Sequence, residues 1–312
     1  MNTPIKYKFI KTLGKGASSS VDLAKDENGN NVVIKHCNKE NKHTWKQECL
    51  KEISITSSLA KTNPSCNFPT SRIENIDGED IMVSTFIQEK ELSKDVLEEL
   101  PEAQQKQIAK DLGTFLYYLH NQSIKQQEQK SSSHSLDIFN KKEKKLKERL
   151  NLLPTEVQEQ INQVISDFDN DTNYGKINVL CHNDLIKDNL LYDKNSQKLS
   201  VIDFGDTEIN DIYTDFAYLM RAGQLGDKFG IDVINAYNKI NQENNTGICI
   251  NTHTAKKLAI LLSLKKIKKL DKINNPERTR FIIYMQEYEK HKTKGIYKTN
   301  TSDLLSYKGK EI

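Results

Sequence analysis

Residues 179–193 read VLCHNDLIKDNLLYD, and the fold turns on how that stretch is read. Val179-Leu180-Cys181 leads into His182-Asn183-Asp184, Asn189 follows Asp184 by five positions, and Leu190-Leu191-Tyr192 closes the stretch. Two apolar runs around a short polar loop predict buried strands that hold the loop rigidly. Asp184 and Asn189 would then face the same side. The carboxylate is suited to taking a proton, and the amide oxygen to binding a hard metal ion. A polar turn with side chain to backbone hydrogen bonds is the alternative reading of the loop alone.

The rest of the chain narrows the class. Its 312 residues suffice for one large or two modest domains. A charged fraction of 29% beside 36% hydrophobic residues describes a soluble globular protein, and a net charge of +3 says little about partners. Cys37, Cys49, Cys66, Cys181 and Cys249 are odd in number and form no CxxC pair, which argues against a zinc site or a disulfide framework and for a reducing compartment. The start, MNTPIKYKFIKTLG, has no apolar core of signal-peptide length, and no run approaches a membrane span. The expected setting is the cytoplasm, with no membrane partner.

Periodicity divides the chain. IKYKFIKTLG, VDLAKD and VVIKHC read as strands, with ENGNN as a turn and Asp77-Gly78 at the tip of a later hairpin. Residues 43–60 read as a helix, with Trp45, Cys49, Ile53, Thr56 and Leu59 at helical spacing. From PEAQQKQ onward the pattern is helical, with Ile108, Leu112, Phe115, Leu116 and Leu119 on one face. Further helices are predicted at 231–242, 254–270 and 277–292, and two more in the stretch DIFNKKEKK…VISDF.

Four separated features ask for one explanation. Gly14-Lys15-Gly16-Ala17-Ser18-Ser19 lies between two strands, where successive amides can cradle a phosphate, although a hairpin turn has the same look. Lys35 ends a strand and would give a phosphate a fixed positive charge if a glutamate aimed it. Glu48 and Glu52 both qualify, and Glu52 stands at the better spacing from the apolar run to Leu59. Asp184 with Asn189 is the third feature. Asp203 in Ile202-Asp203-Phe204-Gly205-Asp206, directly after a strand, is the fourth, a carboxylate suited to magnesium.

In this order the four features resemble the kinase superfamily: a glycine-rich loop, a strand lysine with a helix glutamate, a catalytic HxDxxxxN loop and a DFG metal ligand. Within it they are similar to the aminoglycoside phosphotransferase and choline kinase branch. His182-Asn183-Asp184 stands where protein kinases have His-Arg-Asp, and no Ala-Pro-Glu segment follows Asp203. DLGTFLYYLHNQSI, HNDLIKDNLLYD and TEINDIYTDFAYLM look most like the aminoglycoside 2''-phosphotransferases, and the likeness spans about residues 8–240.

The resemblance implies an α+β, bilobal, protein-kinase-like fold. Its nucleotide-binding lobe would span residues 1–84 and its hinge 85–90. A helical lobe would occupy 91–298, with an insertion near 126–176, before a tail at 299–312. It further implies that Asp184 accepts the proton of a substrate hydroxyl and that Asn189 and Asp203 hold Mg2+. Lys35, steadied by Glu52, would contact the phosphates of ATP or GTP, with Gly14, Gly16, Ser18 and Ser19 around them. Main chain near Thr85 and Ile87 would meet the purine, and His182 and Asp215 would support the catalytic loop. Ser19 replaces the loop's third glycine.

The acceptor is less defined. An aminoglycoside-like or amino-alcohol hydroxyl is implied, with Asp206, Glu208 and Asp211 as an acidic cluster facing it. The basic run KKLAILLSLKKIKKLDK reads as a solvated helix face; were it to line the acceptor site, an anionic acceptor would suit it better. Tyr284 and Tyr288 are one turn apart and suit either a cation-stacking role or the core. A kinase of proteins or lipid headgroups, and a nucleotide-binding regulator without turnover, are the alternatives. Few aromatics interleave the lysines, which argues against nucleic acid, and a monomer is the expected form.

Overall fold

The computed structural model describes residues 6–15, 19–37, 42–63, 65–122, 150–151, 153–266 and 275–297. In chain order the elements begin β1 (Lys8–Lys15), β2 (Ser19–Lys25), β3 (Asn31–Cys37), α1 (Lys42–Thr62), β4 (Cys66–Asn67), β5 (Ser71–Ile76), β6 (Glu79–Thr85) and β7 (Lys90–Glu91). They continue with α2 (Lys94–Glu99), α3 (Glu102–His120), α4 (Thr155–Asp169), β8 (Asn178–Cys181), β9 (Leu190–Asp193), β10 (Lys198–Val201) and β11 (Glu208–Asp211). Four helices complete the order: α5 (Tyr213–Met220), α6 (Asp227–Glu243), α7 (Thr252–Lys266) and α8 (Pro276–Thr293). The chain thus has a sheet-rich front and a helical remainder, the α+β arrangement of the kinase-like fold. Among the described residues no helix is long and apolar enough to cross a membrane.

Two compact units emerge. The first comprises the described residues of Met1–Glu91 together with Asn189–Thr207. It contains a sheet ordered β1-β2-β3-β6-β5 and a second sheet ordered β4-β10-β9-β7. The turn chemistry read from the sequence is realised here. Asp26 Oδ1 accepts from the amides of Asn28 and Asn30, and Gly29 takes φ +80°. Asp77 and Gly78 have φ of 51° and 83°, the paired positive values of the tight turn that matches strand twist. Strand alternation then sorts β3: Val32 and Ile34 join Ala24, Ile81 and Val83 in one core, leaving Lys35 on the other face. Helix α1 buries Trp45, Cys49, Glu52, Ile55, Thr56 and Leu59, a single stripe at helical spacing. Glu52 is the one charged residue in that stripe, and Glu48 lies outside it, exposed.

The second unit comprises the described residues of Leu92–Asp188 and Glu208–Ile312. Helix α3 buries the predicted Ile108, Leu112, Phe115, Leu116 and Leu119. It approaches α6 so closely at Gly113 that a Cβ there would lie 2.9 Å from the backbone nitrogen of Tyr237. Strands β8 and β11 form an antiparallel ribbon, pairing Cys181 with Glu208 and Asn178 with Asp211.

The basic run of α7 corrects the sequence reading, since its first lysines are internal. Lys256 is fully buried and donates to Asp227 Oδ1 at 2.6 Å, with its ammonium 3.7 Å from the Tyr284 ring centroid. Lys257 pairs with Asp171 at 2.5 Å. These lysines face carboxylates brought from other elements, so they are paired inside the fold and do not form a solvated helix face. Residues 267–274 of the run lie outside the described residues. Tyr284 and Tyr288 are buried, and the Tyr284 hydroxyl donates to the Met220 carbonyl at 2.6 Å, so both are core residues.

Candidate active site

In the first unit, Lys35, Glu52 and Asp203 meet. Lys35 leaves the sheet face opposite Ile34, Glu52 projects from the buried stripe of α1, and Asp203 follows β10 after Ile202. Lys35 Nζ lies 3.3 Å from Glu52 Oε2 and 3.6 Å from Asp203 Oδ1. Burial alone would lower the Lys35 pKa, but Glu52 and Asp203 outweigh it and hold the ammonium above its ordinary value. Glu52 is pushed above the usual carboxylate range by burial, against the pull of Lys35 and the Phe204 amide that hydrogen-bonds to it. The lysine is thus fixed between two acids of different character. Glu52 is 5% exposed in its side chain and is committed to the lysine; Asp203 is 56% exposed and keeps its carboxylate accessible.

Local geometry makes room for this cluster. Asp203 adopts φ 60°, a left-handed conformation that strains a non-glycine residue. Phe204 beyond it is fully buried and meets Phe68 edge-on at 6.1 Å. A Cβ on Gly205 would fall 3.3 Å from Lys35 Nζ and 3.4 Å from Asp203 Oδ1, so the glycine keeps that corner open.

Asn189 and Asp203 converge through a hairpin. Strands β9 and β10 pair Leu190 with Val201, and the Ile202 amide donates to the Asn189 carbonyl at 3.1 Å. The amide side chain before one strand and the carboxylate after the other therefore share one end of the ribbon. Oxygen donors of this kind, one of them anionic and accessible, match a hard divalent cation such as Mg2+.

Other positions named for the nucleotide are placed individually. Ser19 is buried and pairs in register with Cys37, and Gly14 pairs with Val21 across the β1–β2 ladder. Gly16 and Ser18 lie outside the described residues. The Thr85 amide is committed to the Thr70 carbonyl at 3.0 Å. Ile87 is half-buried beyond the end of β6.

In the second unit, the loop His182-Asn183-Asp184 is held from behind. Asp215, fully buried in α5, accepts the His182 amide on Oδ2 and the Asn183 amide on Oδ1, each at 2.9 Å. His120 Nε2 lies 3.2 Å from the same Oδ2, and its other ring nitrogen lies 3.1 Å from the Tyr237 hydroxyl. Burial alone would raise the Asp215 pKa, yet His120 and the amides bring it below the ordinary carboxylate value, so the brace is ionised. Asn183 takes φ 63°, which asparagine tolerates best among non-glycine residues, and its Oδ1 accepts from Asn210 of β11 at 2.9 Å. His182 is fully buried, in a supporting position, while Asp184 is half-buried.

His120, Cys181 and Asp215 also place metal-ligand-type atoms within 4.8 Å of one another. The Cys181 thiol donates to the Asn210 and Asp211 carbonyls, and burial raises its pKa well above the ordinary value. A protonated thiol beside a committed carboxylate is a hydrogen-bonded brace. His120 and Asn210 escaped the sequence reading, because neither has local spacing to the loop it supports.

The acidic cluster expected after Asp203 does not hold together as a set of available carboxylates. Asp206 and Glu208 are exposed, but Asp211 is 3% exposed. Its oxygens accept the amides of Gly175 at 2.7 Å and Tyr213 at 2.9 Å. Burial pushes its pKa up to about 6 against those two hydrogen bonds. Asp211 ties the ribbon to α5, and an acceptor would find its carboxylate occupied.

A profile of the phosphotransferase enzyme family matches residues 10–246. The gentamicin complex of APH(2")-IIa superposes with a TM-score of 0.58 at 19% identity, covering 90% of this chain and 91% of that one. The GDP and kanamycin complex of APH(2")-IIIa gives 0.61 at 18% identity, with 92% and 95% covered. An ethanolamine kinase from Plasmodium vivax gives 0.52 at 17% identity, with 92% and 83% covered. At these identities the solved structures share the fold.

Proposed function

The chain belongs to the phosphotransferase enzyme family, and on that premise we propose that it moves the γ-phosphate of ATP or GTP to a hydroxyl of a small molecule in the cytoplasm. The observation that carries this reading is Lys35 held 3.3 Å from Glu52 and 3.6 Å from Asp203. A buried lysine so aimed is a fixed charge for phosphate oxygens, and an accessible carboxylate beside it is a place for their counter-cation. Asn189 and Asp203 would hold Mg2+, which when bound neutralises charge on the phosphates.

Asp184 takes the proton of the acceptor hydroxyl as its oxygen bonds to the γ-phosphorus. The bond from that phosphorus to the β-bridging oxygen breaks, and the nucleoside diphosphate leaves. Asp215 positions the loop through the His182 and Asn183 amides and touches no substrate in this scheme. Main chain between Thr85 and Ile87 meets the purine. Gly14, Gly16, Ser18 and Ser19 surround the phosphates. Asp206 and Glu208, the exposed acids, remain candidates for an amine of an aminoglycoside-like or amino-alcohol acceptor.

The test is a coupled assay of ADP or GDP release with aminoglycosides, ethanolamine, choline and sugars. Acceptor-dependent release that falls by about 10²- to 10⁴-fold in Asp184→Ala supports the reading. Calorimetry showing no binding of magnesium-ATP or magnesium-GTP overturns it.

A further inference from the structure

The turn after α5 carries a buried cation that forms no ion pair among the described residues. Arg221 is 7% exposed, and its guanidinium stacks over the Tyr218 ring at 4.3 Å. Among the described residues it forms no hydrogen bond and no ion pair through its side chain. Burying an ionised group without a partner costs several kcal/mol, so proteins ordinarily pair such a group or expose it.

The same turn is tied to the catalytic loop. Gln224 Oε1 accepts the amide of Lys187, three residues beyond Asp184, at 2.9 Å. Gly223 takes φ 79°, and the Arg280 side chain lies against it, with Cδ 3.0 Å and a guanidinium nitrogen 3.3 Å from where a Cβ would stand. Arg280 likewise has no ion pair among the described residues. The nearby acids are otherwise committed: Asp188 pairs with Lys187 at 3.1 Å, and Asp227 is buried against Lys256 and His291. Burial draws the Arg221 pKa down, and Asp184 is the one carboxylate among the groups opposing that shift. The guanidinium remains charged at neutral pH.

We propose that Arg221 is a specificity-determining residue that binds an oxyanion, a carboxylate or phosphate, on the acceptor whose hydroxyl Asp184 deprotonates. The inference rests on the phosphotransferase reading and sharpens its substrate class. A planar guanidinium presents a rigid fork of donors that carboxylate and phosphate fill two at a time. The Tyr218 ring, 4.3 Å from the guanidinium carbon, restricts where that fork can point before any ligand arrives. A polycationic acceptor would place ammonium groups against Arg221 and Arg280, whereas an oxyanion would supply the partner that the fold withholds. Exposed Asp206 and Glu208 leave room for an amine elsewhere on the same acceptor.

The experiment compares D-glucose, D-gluconate, D-glucose 6-phosphate and kanamycin as acceptors, with magnesium-ATP or magnesium-GTP, in wild type, Arg221→Met and Arg221→Lys. Gluconate and glucose 6-phosphate separate the two oxyanion sources. The expected result is kcat/KM for at least one oxyanion compound about ten- to hundredfold above glucose, the equivalent of one charge-assisted hydrogen-bonded contact. That ratio should collapse toward unity in Arg221→Met and lie between in Arg221→Lys, with the loss in KM. Calorimetric titration of gluconate and glucose 6-phosphate into the magnesium-nucleotide complex gives a reading independent of turnover. Kanamycin preferred over every oxyanion compound, or an unchanged ratio in Arg221→Met, overturns the inference and leaves phosphotransfer standing. Oxyanion binding that needs Arg221 in the absence of any transfer upholds the oxyanion site and overturns the phosphotransferase reading.

Discussion

In the first unit Lys35 has a carboxylate paired on either side, whereas in the second Arg221 is buried and forms no ion pair among the described residues. Both are cations beside groups suited to catalysis, and both lose water to the fold. The difference lies in what the chain itself provides. Lys35 is completed by Glu52 and Asp203, so its position is set before a nucleotide binds. Arg221 has an aromatic ring beside it but no ion pair among the described residues, which is why we propose an oxyanion as its partner. On the proposed reading, the donor side rests on internal pairs and the acceptor side on a cation without one among the described residues.

The sharpest way to break that comparison is to remove the completed cation. Lys35→Met leaves Glu52 buried without its partner, a change that costs about 3–5 kcal/mol for buried pairs. The Glu52 pKa, already raised by burial, rises further once the lysine's pull is gone. A carboxyl whose folded pKa is raised stabilises the fold below its unfolded pKa and loses that contribution as pH rises through the folded value. The variant should therefore be destabilised more at pH 8 than at pH 5, as read by urea unfolding at both pH values, and should lose nucleotide-dependent turnover. Equal loss at both pH values would mean that Glu52 finds another partner.

A smaller effect separates the second unit from the first. Asp211 has no cation beside it among the described residues, and burial raises it from 3.8 to about 6. Its contribution is full below pH 4 and is lost as pH climbs through about 6, because the folded state holds a proton the unfolded chain releases. The shift of about two pH units corresponds to about 3 kcal/mol. Denaturant unfolding of wild type and Asp211→Asn between pH 4 and 7 should show that slope in the first and not in the second. A parallel pair of curves would place the titration elsewhere.

What could be read from residue order follows the same division. Features set by neighbours in sequence were legible. The Asp77-Gly78 turn, the apolar face of α3 and the choice of Glu52 over Glu48 each follow from local spacing. Features set by distant partners were not. Asp206, Glu208 and Asp211 looked like an acidic cluster, and only the register of β11 with β8 and the bonds of Asp211 to distant amides show that Asp211 is structural. Lys256 and Lys257 looked solvated because Asp227 and Asp171, which neutralise them, arrive from other elements. Arg221 gave no signal at all, since a single arginine after a helix is ordinary until its burial, with no ion pair among the described residues, is seen.

The smallest effect tests whether burial, rather than pairing as such, governs these differences. Lys46 and Asp80 form an ion pair of 2.6 Å in the first unit, shorter than the 3.3 Å of Lys35 and Glu52, but with side chains 49% and 30% exposed. Water screens such a pair and hydrates either partner alone, so a short distance there adds little. Asp80 also accepts from Asn75 Nδ2 at 2.9 Å, and that hydrogen bond is the foremost cause of its lowered pKa, ahead of Lys46. Lys46→Ala thus leaves Asp80 solvated and still bonded. Its urea unfolding midpoint should match wild type within error, at low and at high salt, beside the large shift in Lys35→Met. A Lys46→Ala shift comparable to that of Lys35→Met would show that proximity alone sets the strength of these pairs, and would remove the reason for treating the buried, unmatched Arg221 as different in kind.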